Sequence, residues 1–152
     1  MAAIGTDWGE YALAELRRTG HRAGGARTAV VELLARQHCC LTAQEIFDQL
    51  RSDGRRVGIA SVYRALDLLA GMKLVQRVEM GEGIARFEPM HSGGEHHHHV
   101  VCERCGRVAA FEDDQLEEAV AGLAERLGYE LGGHDVVLRG ECPDCLERPA
   151  RD

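Results

Sequence analysis

Residues 95–106 read Glu95-His96-His97-His98-His99-Val100-Val101-Cys102-Glu103-Arg104-Cys105-Gly106, four consecutive histidines followed two residues later by a Cys-x-x-Cys pair. Imidazole nitrogen and thiolate sulfur suit a borderline-soft divalent metal. Val100 and Val101 favour an extended backbone, and alternate side chains of a strand point to opposite faces. His96 and His98 are therefore expected to serve one site and His97 and His99 another, with Cys102 and Cys105 seeding a third. The run is internal and leads into a core-like Val-Val-Cys, so it does not read as an expression tag. Cys102-x-x-Cys105 alone could be a redox pair, but Cys142-Pro143-Asp144-Cys145 repeats the spacing near the other end of the chain. Two such knuckles predict one tetrahedral zinc site held by Cys102, Cys105, Cys142 and Cys145. The long gap between them implies a folded segment in between.

Outward from this stretch, the chain divides by charge. Its 152 residues carry a net charge of −7. Residues 1–90 hold 12 Lys and Arg against 11 Asp and Glu, and residues 91–152 hold 6 against 14. The acidic half is the one rich in His and Cys, which leaves the other half free to carry a local basic face. An apolar content of 45% is ordinary for a soluble protein. No basic head with an apolar run opens the sequence, and no run of about 18 apolar residues follows, so neither a secretory signal nor a membrane span is expected. Paired thiols without a disulfide framework point to a reducing, cytoplasmic setting.

The first half predicts helices over 8–19, 26–37, 43–51 and roughly 57–73. Trp8, Tyr11, Ala12, Leu16 and Thr19 fall near one face of the first. Thr42 and Glu45 form a capping-box pattern before the third. In the fourth, Val62, Leu66 and Leu69 make the buried stripe, and Ser61, Tyr63 and Arg64 fall on other faces. A polar, aromatic and cationic set on early helical turns suits base edges in a major groove. Residues 74–79 and 84–88 alternate about Met80-Gly81-Glu82-Gly83 and read as a hairpin. Helices followed by a hairpin predict a winged helix-turn-helix over 1–88. Residues 89–95, with Gly93-Gly94, have hinge composition. In 96–152, strands over 96–102, 107–111 and 134–139 and a helix over 115–127, capped by Asp113 or Asp114, predict a small α/β unit. The fold class is α+β.

Together, Gly58-Ile59-Ala60-Ser61-Val62-Tyr63-Arg64-Ala65-Leu66, the stretch His96–Gly106 and Cys142–Cys145 resemble the ferric uptake regulator superfamily of metal-responsive repressors, in the same order and over about residues 8–146. The resemblance implies a homodimer that binds a double-stranded DNA operator and takes no small-molecule substrate. It implies structural zinc on the four cysteines, a dimerisation-domain metal on His96, His98, Glu117 and His134, and a regulatory metal on Glu88, His97 and His99. It also implies DNA contacts from Tyr63 and Arg64, with Arg22 near the minor groove. Two positions depart from iron-sensing members, which usually have histidine where Cys40 stands and glutamate where Ala110 stands. Cys40 or His91 then remains as a further regulatory ligand. A small, imidazole- or thiol-rich set favours tetrahedral zinc over six-coordinate iron, so regulatory Zn(II) is expected first. Fe(II) or Mn(II), and iron or peroxide sensing, are the alternatives. No His-Glu-x-x-His helix, nucleophile elbow or phosphate-cradling loop suggests an enzyme. A zinc-stabilised adaptor binding only protein is the rival of a different class.

Overall fold

The computed structural model describes residues 4–22, 24–37, 39–81, 83–90 and 96–149. It divides into two compact units, residues 1–94 and 95–152.

The first unit runs α1 (Ile4–Arg18), α2 (Gly25–Ala35), β1 (Leu41–Thr42), α3 (Ala43–Ser52), α4 (Ile59–Gly71), β2 (Val75–Glu79) and β3 (Ala85–Pro89). Its core joins Trp8, Ala12 and Leu16 of α1 to Val30, Val31, Leu33 and Leu34 of α2, Ile46 and Leu50 of α3, and Val62, Leu66 and Leu69 of α4. Trp8 is buried, and its indole N–H donates to the Leu74 carbonyl at 3.1 Å, which satisfies the one polar atom of that ring. Tyr11, expected on the same face, is exposed instead. The capping box before α3 forms: Glu45 N–H donates to Thr42 Oγ1 at 3.1 Å, and Thr42 N–H to Glu45 Oε2 at 2.8 Å. α4 ends in a left-handed residue, Lys73 at φ 58°, with Leu74 N–H reaching back to Leu69 O at 2.9 Å.

β2 and β3 form the expected antiparallel hairpin, and β1 adds a third strand in the order β1-β3-β2. This short strand, pairing Leu41 with Phe87 and Thr42 with Arg86, carries no periodic signal of its own in the sequence. Three helices and this small sheet are a winged helix-turn-helix, with α1 as an additional leading helix. Pro89, expected to open the hinge, instead ends β3 opposite Val75, and Met90 N–H donates to Leu74 O at 2.9 Å. The ladder holds the chain one residue past the expected boundary.

The second unit contains β4 (His98–Cys102), β5 (Val108–Phe111), α5 (Asp114–Leu127), β6 (Val137–Gly140) and α6 (Pro143–Leu146). β4 is central, antiparallel to β5 and parallel to β6. Asp113 caps α5 by accepting from Leu116 N–H at 2.8 Å, and Gly128 at φ 75° ends it. Few apolar side chains of this unit are buried. Among the described residues they are Cys102, Ala124 and Cys145, whereas Leu123, Leu127, Tyr129, Leu131 and Leu138 are exposed. Helices and two small sheets make the fold α+β.

Candidate metal centres

The four knuckle cysteines converge in the second unit. Cys102 closes β4, Gly106 at φ 75° turns the chain after Cys105, and Cys142 and Pro143 open α6. The four Sγ atoms lie within 4.8 Å of one another, and Cys105 and Cys142 Sγ are 3.8 Å apart. A tetrahedron with metal–sulfur bonds near 2.3 Å has edges of about 3.8 Å, so the donor set fits zinc. Backbone N–H groups of Cys142 (3.3 Å) and Cys105 (3.5 Å) donate to Cys102 Sγ. These bonds hold its thiol down to about 6 and make it the natural first thiolate. Cys145, beside Cys142 and the other thiols, is pushed up to about 12. The Arg104 guanidinium fastens the segment after the second knuckle: it donates to the carbonyls of Cys145, Arg148 (3.0 Å) and Pro149 (2.9 Å). Arg107 pairs with Asp144 at 2.7 Å. Neither arginine carries a motif that would mark it in the sequence beyond its nearness to a cysteine.

A second cluster joins His96, His98, Glu117 and His134, whose ligand atoms also lie within 4.8 Å of one another. His98 Nε2 is 2.5 Å from Glu117 Oε1, His134 Nε2 is 2.9 Å from Glu117 Oε2, and His96 Nε2 is 3.2 Å from His134 Nε2. Metal–nitrogen bonds of 2.0–2.1 Å imply ligand separations of about 3.3 Å in a tetrahedron, so three imidazoles and one carboxylate fit a divalent ion here. The Asp113 cap sets Glu117 in the first turn of α5, facing the rings, while neighbouring Glu118 is exposed. The hydrogen bond with His98 holds the Glu117 carboxyl below its ordinary value of 4.5. Val136 N–H donates to His98 Nδ1 at 3.2 Å, which leaves the ring proton of neutral His98 on Nε2, toward Glu117. A metal at Nε2 must displace that proton.

The alternation expected of the histidine run is present. His96 and His98 stack edge-on at 4.4 Å between centroids, and His97 and His99 form a separate pair at 5.0 Å. His99 is buried on β4, next to Ala110 of β5. Glu88 belongs to the first unit, buried on β3. Cys40, at the start of β1, is buried, and its thiol is pushed far up by hydrogen bonding with Cys39 and by burial. His91 lies outside the described residues.

On the first unit, α4 follows the N-cap Gly58, which offers no side-chain cap, and its Ser61 N–H donates to Gly58 O at 3.1 Å. Tyr63 is half exposed and Arg64 exposed, and Arg64 Nη2 donates to Ser61 Oγ at 3.1 Å. Arg22, between α1 and α2, is exposed, and its carbonyl accepts from Arg27 Nη1 at 2.9 Å.

A sequence model of the Ferric uptake regulator family matches residues 18–139. The chain belongs to this family. Ferric uptake regulator proteins are metal-responsive transcriptional regulators that bind DNA, and they are not enzymes. The ferric uptake regulation protein of Legionella pneumophila is 35% identical over 133 residues, covering 86% of this chain and 96% of that one. The peroxide-responsive repressor PerR of Staphylococcus aureus is 28% identical over 140 residues, 91% of this chain and 92% of that one. The ferric uptake regulator of Helicobacter pylori, whose structure reveals three functional metal binding sites, superposes with a TM-score of 0.81 at 25% identity over 96% of each chain. Among the described residues, no helix is long and apolar enough to cross a membrane.

Proposed function

We propose that this Ferric uptake regulator protein is a zinc-responsive, dimeric repressor that binds an operator when its regulatory metal is bound. The observation that carries the zinc reading is the buried Cys40 thiol, a soft ligand type beside the carboxylate and imidazoles of the regulatory set. The His96, His98, Glu117 and His134 cluster is a separate site that fits a four-coordinate ion. The regulatory ligands are Glu88, His97 and His99, with Cys40 or His91 as a fourth. Zinc held by these residues would supply the signal on which operator affinity depends. Thiol where iron-sensing relatives hold histidine favours zinc, while the names of the Legionella and Staphylococcus relatives keep Fe(II) and peroxide as the alternatives. The four cysteines hold structural zinc. The exposed Leu123, Leu127, Leu131 and Leu138 support pairing of the second unit with another copy, since monomers seldom leave such sets uncovered. Ser61, Tyr63 and Arg64 read bases, and Arg22 lies near the minor groove. Metal dependence requires differential affinity for the DNA-competent state, typically about 1–3 kcal/mol, or roughly 5–150-fold.

The test is a DNA-binding titration of demetallated, structural-zinc-retaining protein with Zn(II), Fe(II) and Mn(II) at fixed salt. Zn(II) should restore operator binding at the lowest free concentration, and His97→Ala should abolish the response while leaving the fold and dimer intact. Equal response to all three ions would overturn zinc selectivity. An unchanged response in His97→Ala would remove that residue from the regulatory site.

A further inference from the structure

Cys39 and Cys40 lie in the short link between α2 and β1, and their Sγ atoms are 3.8 Å apart. That equals the Cys105–Cys142 separation in the four-thiol cluster and the edge of a thiolate tetrahedron, about 3.8 Å. Adjacent side chains of a regular strand point to opposite faces; the bend at Cys39 brings these two together. Neither is in a disulfide. Cys40 is buried, but Cys39 is only half-buried, so filling the core does not account for the second thiol. One residue beyond the β1–β3 ladder, where Leu41 faces Phe87, Cys40 comes opposite Glu88. Two thiols and a carboxylate therefore share one corner of the first unit.

We propose that Cys39 and Cys40 act together as a thiol pair that binds a thiophilic divalent cation beside Glu88, releasing one proton per thiol, and so biases the regulatory site toward zinc-like ions. This rests on Glu88 being a regulatory ligand. Thiolate favours zinc and its softer congeners, whereas carboxylate and imidazole alone admit Mn(II) and Fe(II).

The test uses reduced full-length protein with its four-cysteine site filled with zinc, titrated anaerobically with Co(II), whose thiolate bonds absorb in the near ultraviolet. Zinc release is followed in parallel to exclude exchange into the structural site. A charge-transfer band should saturate with the added Co(II), fall by about half in Cys39→Ser and in Cys40→Ser, and vanish in the double variant, as expected if each thiolate contributes separately. Zn(II) affinity in the double variant should drop by more than the roughly 10–100-fold that altering a ligand's neighbour costs, with Mn(II) affinity changing little. Co(II) binding without the band in the unaltered protein, or a band undiminished in the double variant, overturns the proposal. Cys39 is half-exposed, so Cys39→Ser alone carries the test if substitution of Cys40 disturbs packing. Metal-dependent DNA binding without the band sinks the thiol pair only. A band with metal-independent DNA binding supports the pair and sinks the regulatory reading.

Discussion

Consider Cys102→Ser, or removal of zinc by a chelator, in the full-length protein. Cys102 ends β4, donates its N–H to Arg107 O at 2.8 Å and accepts from the N–H groups of Cys105 and Cys142. It therefore joins both knuckles to the sheet. Structural zinc contributes about 10–16 kcal/mol of binding energy in small zinc domains, whereas whole domains are stable by only about 5–15 kcal/mol. Within one protomer the second unit has little else to draw on, since its described buried apolar residues are Cys102, Ala124 and Cys145. The first unit has a core of its own, running from Trp8 to Phe87. Loss of zinc should unfold the second unit and spare the first. Amide hydrogen exchange separates the outcomes: protection in β4, β5 and β6 should vanish while α2, α3 and α4 keep theirs. The protein has a single tryptophan, so unchanged Trp8 emission reports the first unit independently. Retained protection across β4–β6 in zinc-free Cys102→Ser would refute the claim that metal, rather than apolar burial, holds this unit.

Three further outcomes follow from the geometry. The Glu117 carboxyl should titrate below its ordinary 4.5 because hydrogen bonding with His98 favours the charged form; it should move back up in His98→Ala, as followed by carboxyl carbon NMR. The sign is that of a lowered acid: the contact stabilises the fold above pH 4.5 and is lost as pH falls through the lowered value. Arg64→Ala should weaken operator binding by about 1–3 kcal/mol and relax selectivity at one base position, measured by competition against mutated operators. Lys73→Gly should stabilise the first unit by about 0.5–1 kcal/mol in urea unfolding, because an exposed lysine at φ 58° carries left-handed strain that outweighs the entropy cost of glycine.

Much of this arrangement was legible in the sequence where a local rule has one outcome. Thr42 and Glu45 could only be a cap before α3, Gly128 a stop after α5, and the valines after the histidine run forced their alternation. What depends on distant partners was not legible. β1 is two residues long and exists because β3 offers it a ladder. Tyr11 leaves the apolar face because Trp8, Ala12 and Leu16 already fill it. Glu117 is distinguished from Glu118 only by the helix phase that Asp113 sets, and the resemblance, rather than any spacing, had singled it out. The convergence of Cys39 and Cys40 depends on a bend that no pattern in those two residues announces.

The parallel pairing of β4 with β6 explains why the second unit can work with so small a core. His99 pairs with Val137 and Cys102 with Gly140. At the entry of these strands stand His96, His98 and, three residues before β6, His134; at their exit stand Cys102, Cys105, Cys142 and Cys145. One two-stranded ladder thus carries a metal-fitting cluster at each end. A slip of one residue would turn each side chain to the other face, separating His98 from Glu117 at one end and Cys102 from Cys142 at the other. Zinc on the thiols would fix the register, and that register presents the histidines. Parallel ladders are slightly less stable per residue than antiparallel ones and are normally buried under helices on both faces. Metal coordination at the exit would stand in for that cover, so the affinity of the histidine cluster for its ion should be lost whenever the four-cysteine site is emptied, even though no residue is shared between them.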